Sequence, residues 1–409
     1  MEGFFTKKET QLVSRPDGKL SSCSACGLYR RCKSPKIKPY GNFKKGILNI
    51  GEAPGEMEDR NGKPWQGRVG RLLQETYKSL KIDLFEDCLN INSINCRPTD
   101  EKGNNRAPLG IEIDCCRKSV LQVIMEKKPK VIALFGNSAI QSIIGYRWKK
   151  DLGNITKWRG WTIPDQDFKC WIVPTFHPSF IERGDEIEKK VVWTQDLQKI
   201  IDCVKLPFRK YEEPVIEFIE DLSILDKIQA GMVAFDYETT GIKPHAQGHR
   251  NVVVSVADSE NHCYVFLMPT SRQARQPFIN LLKDANVAKV GHNIKYEENW
   301  SVVRLNQPVI NWAWDSMLAS HILDNRTGVT GLKFQTYVQF GIPDYTSEVD
   351  PLFQGMRNES GNTINKILEH VKDSDKRSKI MKYCGYDSIH TYRLAKMQMD
   401  LIWENELPF

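Results

Sequence analysis

The stretch ILNIGEAPGEMED at positions 47–59 decides the fold of the N-terminal half. Its first residues, 47–50, predict a buried strand, and the Gly- and Pro-rich segment 51–55 predicts a turn at the carboxyl end of that strand. Open α/β sheets bind ligands at the carboxyl ends of their strands. Positions 51–59 and the segment GKPWQG at 62–67 supply carboxylates, a glycine that permits close approach and a flat aromatic ring. Such a set suits a small planar ring as ligand.

Strand-like and helical patterns alternate along both halves of the chain. In the first half, strands are predicted at 47–50, 89–94, 130–135 and 171–174. Helices are predicted near 72–80, 112–127 and 191–204. The segment KLPFRKYEEPVI at 205–216 has two prolines and mixed charge, which predicts a linker. A second alternation follows, with strands at 232–237, 252–257, 262–267 and 288–291. We therefore predict an α/β fold class with two domains, 1–207 and 208–409, the first around a parallel sheet.

Length and charge point to a two-domain protein that acts on a polyanion. A chain of 409 residues exceeds what one hydrophobic core usually organises. Residues 1–207 have 36 Lys and Arg against 25 Asp and Glu, whereas 208–409 have 22 against 26. A basic half fits nucleic acid, although solvated lysines on helices explain this charge as readily. With no apolar stretch near the roughly 18 residues of a membrane span and no signal-peptide core, we expect a cytoplasmic location and no membrane.

Eleven cysteines without a secretory signal argue against disulfides and for metal or cluster ligation. Cys23 and Cys26 form a C-x-x-C pair, and Cys96 and Cys116 follow much later. A zinc knuckle has its second pair within about 12–20 residues, whereas one close pair with two dispersed thiolates is more typical of an iron–sulfur cluster. Spacing alone leaves zinc or structural cysteines open, and it leaves Cys115 as an alternative to Cys116.

Residues 20–205 resemble the family 4 uracil-DNA glycosylases. The resemblance rests on four segments that occur in the order of the family, namely GEAPGEMED, GKPWQG, NSINCRP at 92–98 and TFHPS at 175–179. It implies a three-layer α/β/α fold, a 4Fe–4S cluster, and excision of uracil from DNA. Matching the helix near 112–121 to the family pattern selects one of the two adjacent cysteines, so the implied cluster ligands are Cys23, Cys26, Cys96 and Cys116.

The same resemblance implies roles for the residues of a base pocket. His177 is expected to stabilise the negative charge on the departing uracil, and Asn92 to read its N3 and O4 edge and reject cytosine. Trp65, where the family usually has Phe, is expected to stack on the flipped base. Glu58 is the leading carboxylate either for orienting water or for excluding the methyl group of thymine. The backbone of the turn would complete the catalytic pocket through Glu52, Ala53 and Gly55.

The C-terminal half contains acidic residues whose spacing would put them on one face of a strand or of a helix. In the segment VAFDYETTG, Asp236 and Glu238 stand two residues apart, on one face of a strand, where both can bind the same metal ion. Tyr383 and Asp387 stand four residues apart, on one face of a predicted helix. Between them, the segment GHNIKYE ends on Glu297. Any one acidic pair is typical of a solvated turn, but the ordered set favours a metal site.

Residues 215–405 resemble the DEDDy class of 3′–5′ exonucleases, which includes the proofreading domain of DNA polymerase I. The segments WDSMLA at 314–319 and GLK at 331–333 also recur where that domain leads us to expect them. The resemblance implies a ribonuclease H-like fold and two divalent ions, Mg²⁺ or Mn²⁺, with Tyr383 orienting the nucleophile. The implied metal ligands are Asp236, Glu238, Glu297 and Asp387.

Glu297 departs from the pattern of this class, which has Asp at that position. Glutamate is still a hard oxygen ligand, and the backbone can absorb one extra methylene. Glu298 is a weaker alternative ligand. The departure lowers the expectation of full exonuclease activity without removing it.

The two resemblances together predict a bifunctional DNA repair and editing enzyme of a phage-type fusion, which would then act in the host cytoplasm. Its expected partners are uracil-containing DNA, DNA 3′ ends and a separate DNA polymerase. Two other functions stay open, a DNA-binding accessory protein with weakened sites and a glycosylase for a different modified base. Because base excision needs no divalent ion and the exonuclease does, metal dependence distinguishes the enzyme from the accessory protein.

Overall fold

Two compact units make up the described part of the chain. The computed structural model describes residues 23–148, 150–183, 187–343, 345–353 and 364–404. The first unit comprises 1–211 together with 337–343, and the second comprises 212–336 with 344–409. Each unit has its own sheet and helices, so the predicted α/β class is confirmed.

The first unit is built on a five-stranded sheet in the order β2-β1-β3-β5-β4. Its strands are β1 Ile47–Gly51, β2 Cys88–Asn92, β3 Val131–Phe135, β4 Ile163–Asp165 and β5 Cys170–Thr175. Strands β1, β2, β3 and β5 are parallel and buried along their whole length, as expected for a sheet that is covered on both faces. The sequence analysis missed β4, a short edge strand that runs antiparallel to β5.

The longer helices of the first unit bury apolar side chains. The helices of this unit are α1 Cys23–Cys26, α2 Glu56–Asn61, α3 Arg68–Ser79, α4 Gly110–Lys127, α5 Asn137–Ile143, α6 Ile155–Trp158, α7 Pro178–Glu182 and α8 Ile187–Cys203. Leu73 and Tyr77 of α3, and Trp193 of α8, belong to one buried cluster with Val131 and Val173 of the sheet. Burial of each such side chain stabilises the fold by about 1.5–3 kcal/mol.

The second unit has a six-stranded mixed sheet in the order β11-β10-β7-β8-β9-β6. The strands are β6 Val215–Phe218, β7 Met232–Thr239, β8 Asn251–Ala257, β9 His262–Leu267, β10 Ala288–Gly291 and β11 Trp312–Asp315. Strands β7, β8 and β9 form an antiparallel meander, and β10 and β11 continue the sheet in parallel to β7. Asp236 and Glu238 thus lie on β7, a central strand of the sheet.

A long C-terminal helix covers one face of this sheet. The helices that follow α8 are α9 Gln276–Lys283, α10 Ile294–Trp300, α11 Ser316–Leu323, α12 Leu332–Phe340, α13 Asp350–Phe353, α14 Ile367–His370 and α15 Ser374–Glu404. Helix α15 lies very close to the strands at Gly385, where a Cβ atom would come within 2.8 Å of Ile216 Cγ2 and 3.0 Å of Val265 Cγ2. Within the described ranges, no helix combines the length and the apolar character that a bilayer crossing requires.

Candidate active sites

The carboxyl ends of β1 and β2 bring Asn92 and Trp65 together over Gly51. Gly51 and Asn92 are partners in the parallel ladder, and both are the last residues of their strands. A Cβ atom at Gly51 would lie 2.5 Å from Asn92 Oδ1 and 3.0 Å from Trp65 Cζ2. Only a glycine at this position permits the amide and the indole to approach each other.

His177 completes this group from the end of β5. Its ring centroid lies 5.6 Å from that of Trp65, with 31° between the ring planes. Gly136 adopts a left-handed φ of 85°, and a Cβ atom there would lie only 3.1 Å from His177 Cβ. Trp65 therefore lies close to both Asn92 and His177 at the carboxyl edge of the sheet.

The imidazole of His177 is held neutral. Burial, with a smaller contribution from the charge of Arg183, lowers the pKa of His177 to about 4. Nδ1 accepts a hydrogen bond from the Ser179 backbone N–H at 3.3 Å and lies 2.9 Å from Ser179 Oγ. Since a neutral imidazole carries one proton, this arrangement puts the proton on Nε2 and makes that nitrogen a hydrogen-bond donor.

Trp65 is buried and held in an unusual backbone conformation. Its φ is 59°, in the left-handed region that few non-glycine residues adopt. The indole packs edge-on against Phe135, with centroids 5.6 Å apart. Its Nε1–H has no hydrogen-bond partner among the described residues. The strained backbone indicates that the position of the ring is imposed by its surroundings.

Glu58 binds the backbone of the pocket loop. Its carboxylate accepts hydrogen bonds from the backbone N–H groups of Gln66 at 2.8 Å, Gly67 at 2.9 Å and Gly55 at 3.1 Å. These contacts connect the first turn of α2 to the segment that carries Trp65. The carboxylate that the sequence analysis singled out for water or for thymine exclusion is therefore engaged in holding the loop.

Glu52 and Ala53 lie on the turn that follows β1. Glu52 is half-buried, its Oε2 accepts a hydrogen bond from Ser138 Oγ at 3.4 Å, and burial raises the pKa of its carboxyl group. Ser138 stands two residues from Gly136, the glycine that packs on His177. Ala53 packs on a second cluster, which contains several cysteines.

Five cysteines lie near one another beside this turn. Cys26, Cys96 and Cys116 share a hydrophobic cluster with Leu28, Ile94 and Ile113, and the thiols of Cys23 and Cys26 are close enough to Cys116 to affect its pKa. Burial raises the pKa of Cys96 to about 12 and that of Cys116 to about 11. The sequence analysis missed the fifth, Cys32, which belongs to this cluster and hydrogen-bonds Cys96. The only available signal was its position six residues after the C-x-x-C pair.

These thiols are spaced more widely than the ligands of a single zinc ion. Among the described residues, no three of their sulfur atoms lie within 4.8 Å of one another. A tetrahedral zinc ion with Zn–S bonds of about 2.3 Å would hold its sulfurs closer than that. Cys115 is buried on the same helix as Cys116, and like Cys23 and Cys26 it affects the pKa of Cys116.

In the second unit, β7 and α15 bring the acidic residues together. Asp236 and Glu238 lie on the same face of β7, and with Cys384 of α15 they have ligand atoms within 4.8 Å of one another. Cys384 was not identified from the sequence. Its Sγ lies 3.8 Å from Asp236 Oδ2 and 3.3 Å from Ser255 Oγ.

The carboxylates of this group repel one another. Burial, and next the charge of Asp387, raises the pKa of Asp236 to about 7. Burial and the charge of Asp236 likewise raise the pKa of both Glu238 and Glu297. Like charges in one buried site cannot all ionise without a cation, so the donor chemistry of the site fits a hard divalent ion.

Glu297 and Glu298 have different environments. Glu297, on α10, is 3% exposed, and its Oε2 has no hydrogen-bond partner among the described residues. Glu298 Oε2 instead accepts hydrogen bonds from Trp312 Nε1 at 2.9 Å and from the Val309 backbone N–H at 3.1 Å. A buried carboxylate oxygen without a partner is what an absent cation would leave, so Glu297 fits the metal-ligand role and Glu298 has a structural one.

Asp387 is bound by two residues that the sequence analysis did not assign. It forms an ion pair with Lys333, and Oδ1 accepts a hydrogen bond from Tyr345 OH at 2.7 Å. Tyr383 lies one turn before Asp387 on α15, and burial together with the charge of Asp387 raises the pKa of its phenol. The segment GLK was the only signal for Lys333, and nothing in the sequence pointed to Tyr345.

Two family models match the chain, one in each half. Residues 38–198 match the uracil DNA glycosylase superfamily, and residues 212–402 match a 3′–5′ exonuclease family. The type-4 uracil-DNA glycosylase of Thermotoga maritima is 33% identical over 202 residues, which cover 49% of this chain and 98% of the relative. That of Saccharolobus solfataricus is 31% identical over 186 residues, covering 44% and 82%.

Solved structures similar to the chain include Brucella melitensis NrnC. It is 18% identical, with a TM-score of 0.33, over 47% of this chain and 83% of the other. Escherichia coli RNase D, described as an exoribonuclease involved in structured RNA processing, is 13% identical, with a TM-score of 0.33, over 48% of this chain and 47% of the other.

Proposed function

Because the chain belongs to the type-4 uracil-DNA glycosylase family through its N-terminal half and carries a 3′–5′ exonuclease domain in its C-terminal half, we propose that it excises uracil from DNA and also degrades DNA 3′ ends. A uracil-DNA glycosylase and a 3′–5′ exonuclease both hydrolyse their substrates, so the chain is a hydrolase with two different chemistries. The observation that carries the proposal is the meeting of Asn92, Trp65 and a neutral His177 at one sheet edge.

The first site is suited to the departure of a uracil anion. Cleavage of the N-glycosidic bond leaves negative charge on the base, and the Nε2–H of His177 donates a hydrogen bond to the O2 atom where this charge gathers. The Asn92 amide, with one donor and one acceptor, pairs with the N3 and O4 edge of uracil, and Trp65 stacks on the flipped ring.

Two carboxylates act in different ways around this pocket. Glu58 is a positioning residue, because its contacts hold the loop that presents Trp65. That leaves Glu52 to orient the attacking water. Its carboxylate accepts a hydrogen bond from Ser138, two residues after the glycine that packs on His177, which supports this role.

We propose that four cysteines hold a 4Fe–4S cluster, namely Cys23, Cys26, Cys96 and Cys116. The spacing of the thiols, which is wider than in a zinc site, supports this assignment, and the family resemblance selects Cys116 over the adjacent Cys115. A bound cluster would connect distant parts of the chain next to Ala53 and so stabilise the pocket turn. Cys32 remains beside Cys96 as an additional thiol.

The adjacent cysteines of α4 provide a matched pair for testing the cluster. Replacing Cys116 with serine should remove most of the bound iron, because one of four thiolate ligands is lost. The same change at Cys115 should leave the iron content and the brown charge-transfer absorbance near those of the unmodified protein. Iron per chain and the visible spectrum of anaerobically purified protein provide the measurement. Equal iron loss in both variants, or loss only at Cys115, would contradict the ligand set.

The second site is suited to phosphodiester hydrolysis with two metal ions. Asp236, Glu238, Glu297 and Asp387 would hold Mg²⁺ or Mn²⁺, which supply a clamp on the scissile phosphate and an activated water. Tyr383 orients the nucleophile from the face of α15 that also presents Asp387. We further propose that this domain edits DNA made by a separate polymerase, which the resemblance to a proofreading domain supports.

Chelation separates the two activities in one assay. With a uracil-containing oligonucleotide, brief exposure to EDTA should stop the shortening of the 3′ end, because the carboxylates lose their metal ions. Release of uracil should change less than about twofold, because His177 and Asn92 need no divalent ion. A matched oligonucleotide with thymine controls for base specificity. Uracil release that disappears with EDTA would rule out the proposed division of chemistry.

A further inference from the structure

A half-buried lysine lies within the carboxylate group of the second site. Lys333 is the second residue of α12, and its Nζ pairs with Asp387 and lies 2.9 Å from Tyr345 OH. Tyr345 OH in turn donates to Asp387 Oδ1 at 2.7 Å. The ammonium, the phenol and the carboxylate thus form a closed triangle around one of the proposed metal ligands.

The surroundings of the ammonium leave it facing the acidic residues. Its side chain is 17% exposed, and Nζ lies 4.2 Å from the ring centroids of both Tyr345 and Tyr383. The charge of Lys333 also acts on Asp236 and Glu238, whose pKa values it lowers against the effect of burial. Among the described residues, Lys333 is the one cation in contact with any of the four proposed ligands.

We propose that Lys333 is a built-in counter-cation of the exonuclease site, which holds Asp387 in place and competes with a divalent ion for it. This inference rests on the proposed metal-dependent function and adds a residue to it. A carboxylate oxygen that already binds an ammonium and a phenol has less capacity for a metal ion. Lys333 therefore keeps the acidic site stable without metal and weakens its affinity for metal.

Replacement of Lys333 with methionine tests this competition in the full chain. Methionine keeps much of the apolar stem and removes the positive charge, so Mn²⁺ should bind about tenfold more tightly or better, given the strength of a charge interaction at this range. Calorimetry without DNA measures the affinity and the number of Mn²⁺ ions bound. In EDTA the melting temperature of the variant should be several degrees below that of the unmodified protein. Mn²⁺ should raise it to the value of the unmodified protein.

Two control variants make the outcome specific. Lys333→Arg keeps the charge and should bind Mn²⁺ as the unmodified chain does. Lys372→Met makes the same chemical change at an exposed lysine and should change neither affinity nor melting. Unchanged or weaker Mn²⁺ binding by Lys333→Met would overturn the inference, and so would a variant that stays unfolded with Mn²⁺ present. If the unmodified chain binds no Mn²⁺, the proposed exonuclease site itself is wrong.

Discussion

Replacing Asp236 with alanine will abolish the shortening of DNA 3′ ends while uracil release continues. Asp236 lies at the centre of the acidic group, and its charge raises the pKa of both Glu238 and Glu297. Charge stabilisation by bound metal contributes several kcal/mol to such a reaction, and about 1.4 kcal/mol corresponds to a tenfold change in rate. We expect a loss of at least about a thousandfold, measured on an end-labelled oligonucleotide.

The stability of the same variant shows whether the loss is catalytic. Asp236 is half-buried beside other carboxylates, and its pKa of about 7 shows that its ionised form is unfavourable there. Removing it should leave the melting temperature in EDTA unchanged or higher, because repulsion is relieved. Retained exonuclease activity would show that the metal ligands have been misassigned. A protein that melts earlier and also loses uracil release would point to misfolding instead.

Replacing His177 with alanine will reduce uracil release by about 10²–10³-fold, the usual effect of removing one donor to a developing anion. The loss should fall on kcat and spare KM, because the donor acts on charge that is absent from the bound substrate. Single-turnover release from a uracil-containing oligonucleotide measures it. His321→Ala provides a matched control, since this histidine is exposed on α11.

The titration of His177 gives a second readout for this variant. Because the pKa of His177 is about 4, the unmodified protein should show no step in uracil release between pH 6 and pH 8 that depends on this residue. The exonuclease activity of His177→Ala should equal that of the unmodified chain. A variant with a normal kcat and a raised KM would show that His177 only binds the substrate.

Local patterns in the sequence predicted the α/β class, which is confirmed, and they put several proposed site residues on shared faces of strands and helices. The apolar run before GEAPG predicts a buried strand with a turn at its carboxyl end, and β1 ends at Gly51 as expected. Strand periodicity places Asp236 and Glu238 on one face, and helix periodicity places Tyr383 next to Asp387. These features depend only on residues a few positions apart, so they can be predicted from the sequence.

Other features depend on contacts between distant parts of the chain. Lys333 meets Asp387 from 54 positions away, and Cys32 reaches Cys96 because a loop packs beside β2. Glu297 and Glu298 differ because only the Glu298 carboxylate oxygen accepts hydrogen bonds from neighbouring groups. The Glu58 carboxylate accepts its hydrogen bonds from backbone N–H groups of a loop. Hydrogen bonding and burial at these positions are set by packing in three dimensions. The periodicity and spacing of nearby residues do not determine these contacts. Only the folded structure shows which groups surround these residues.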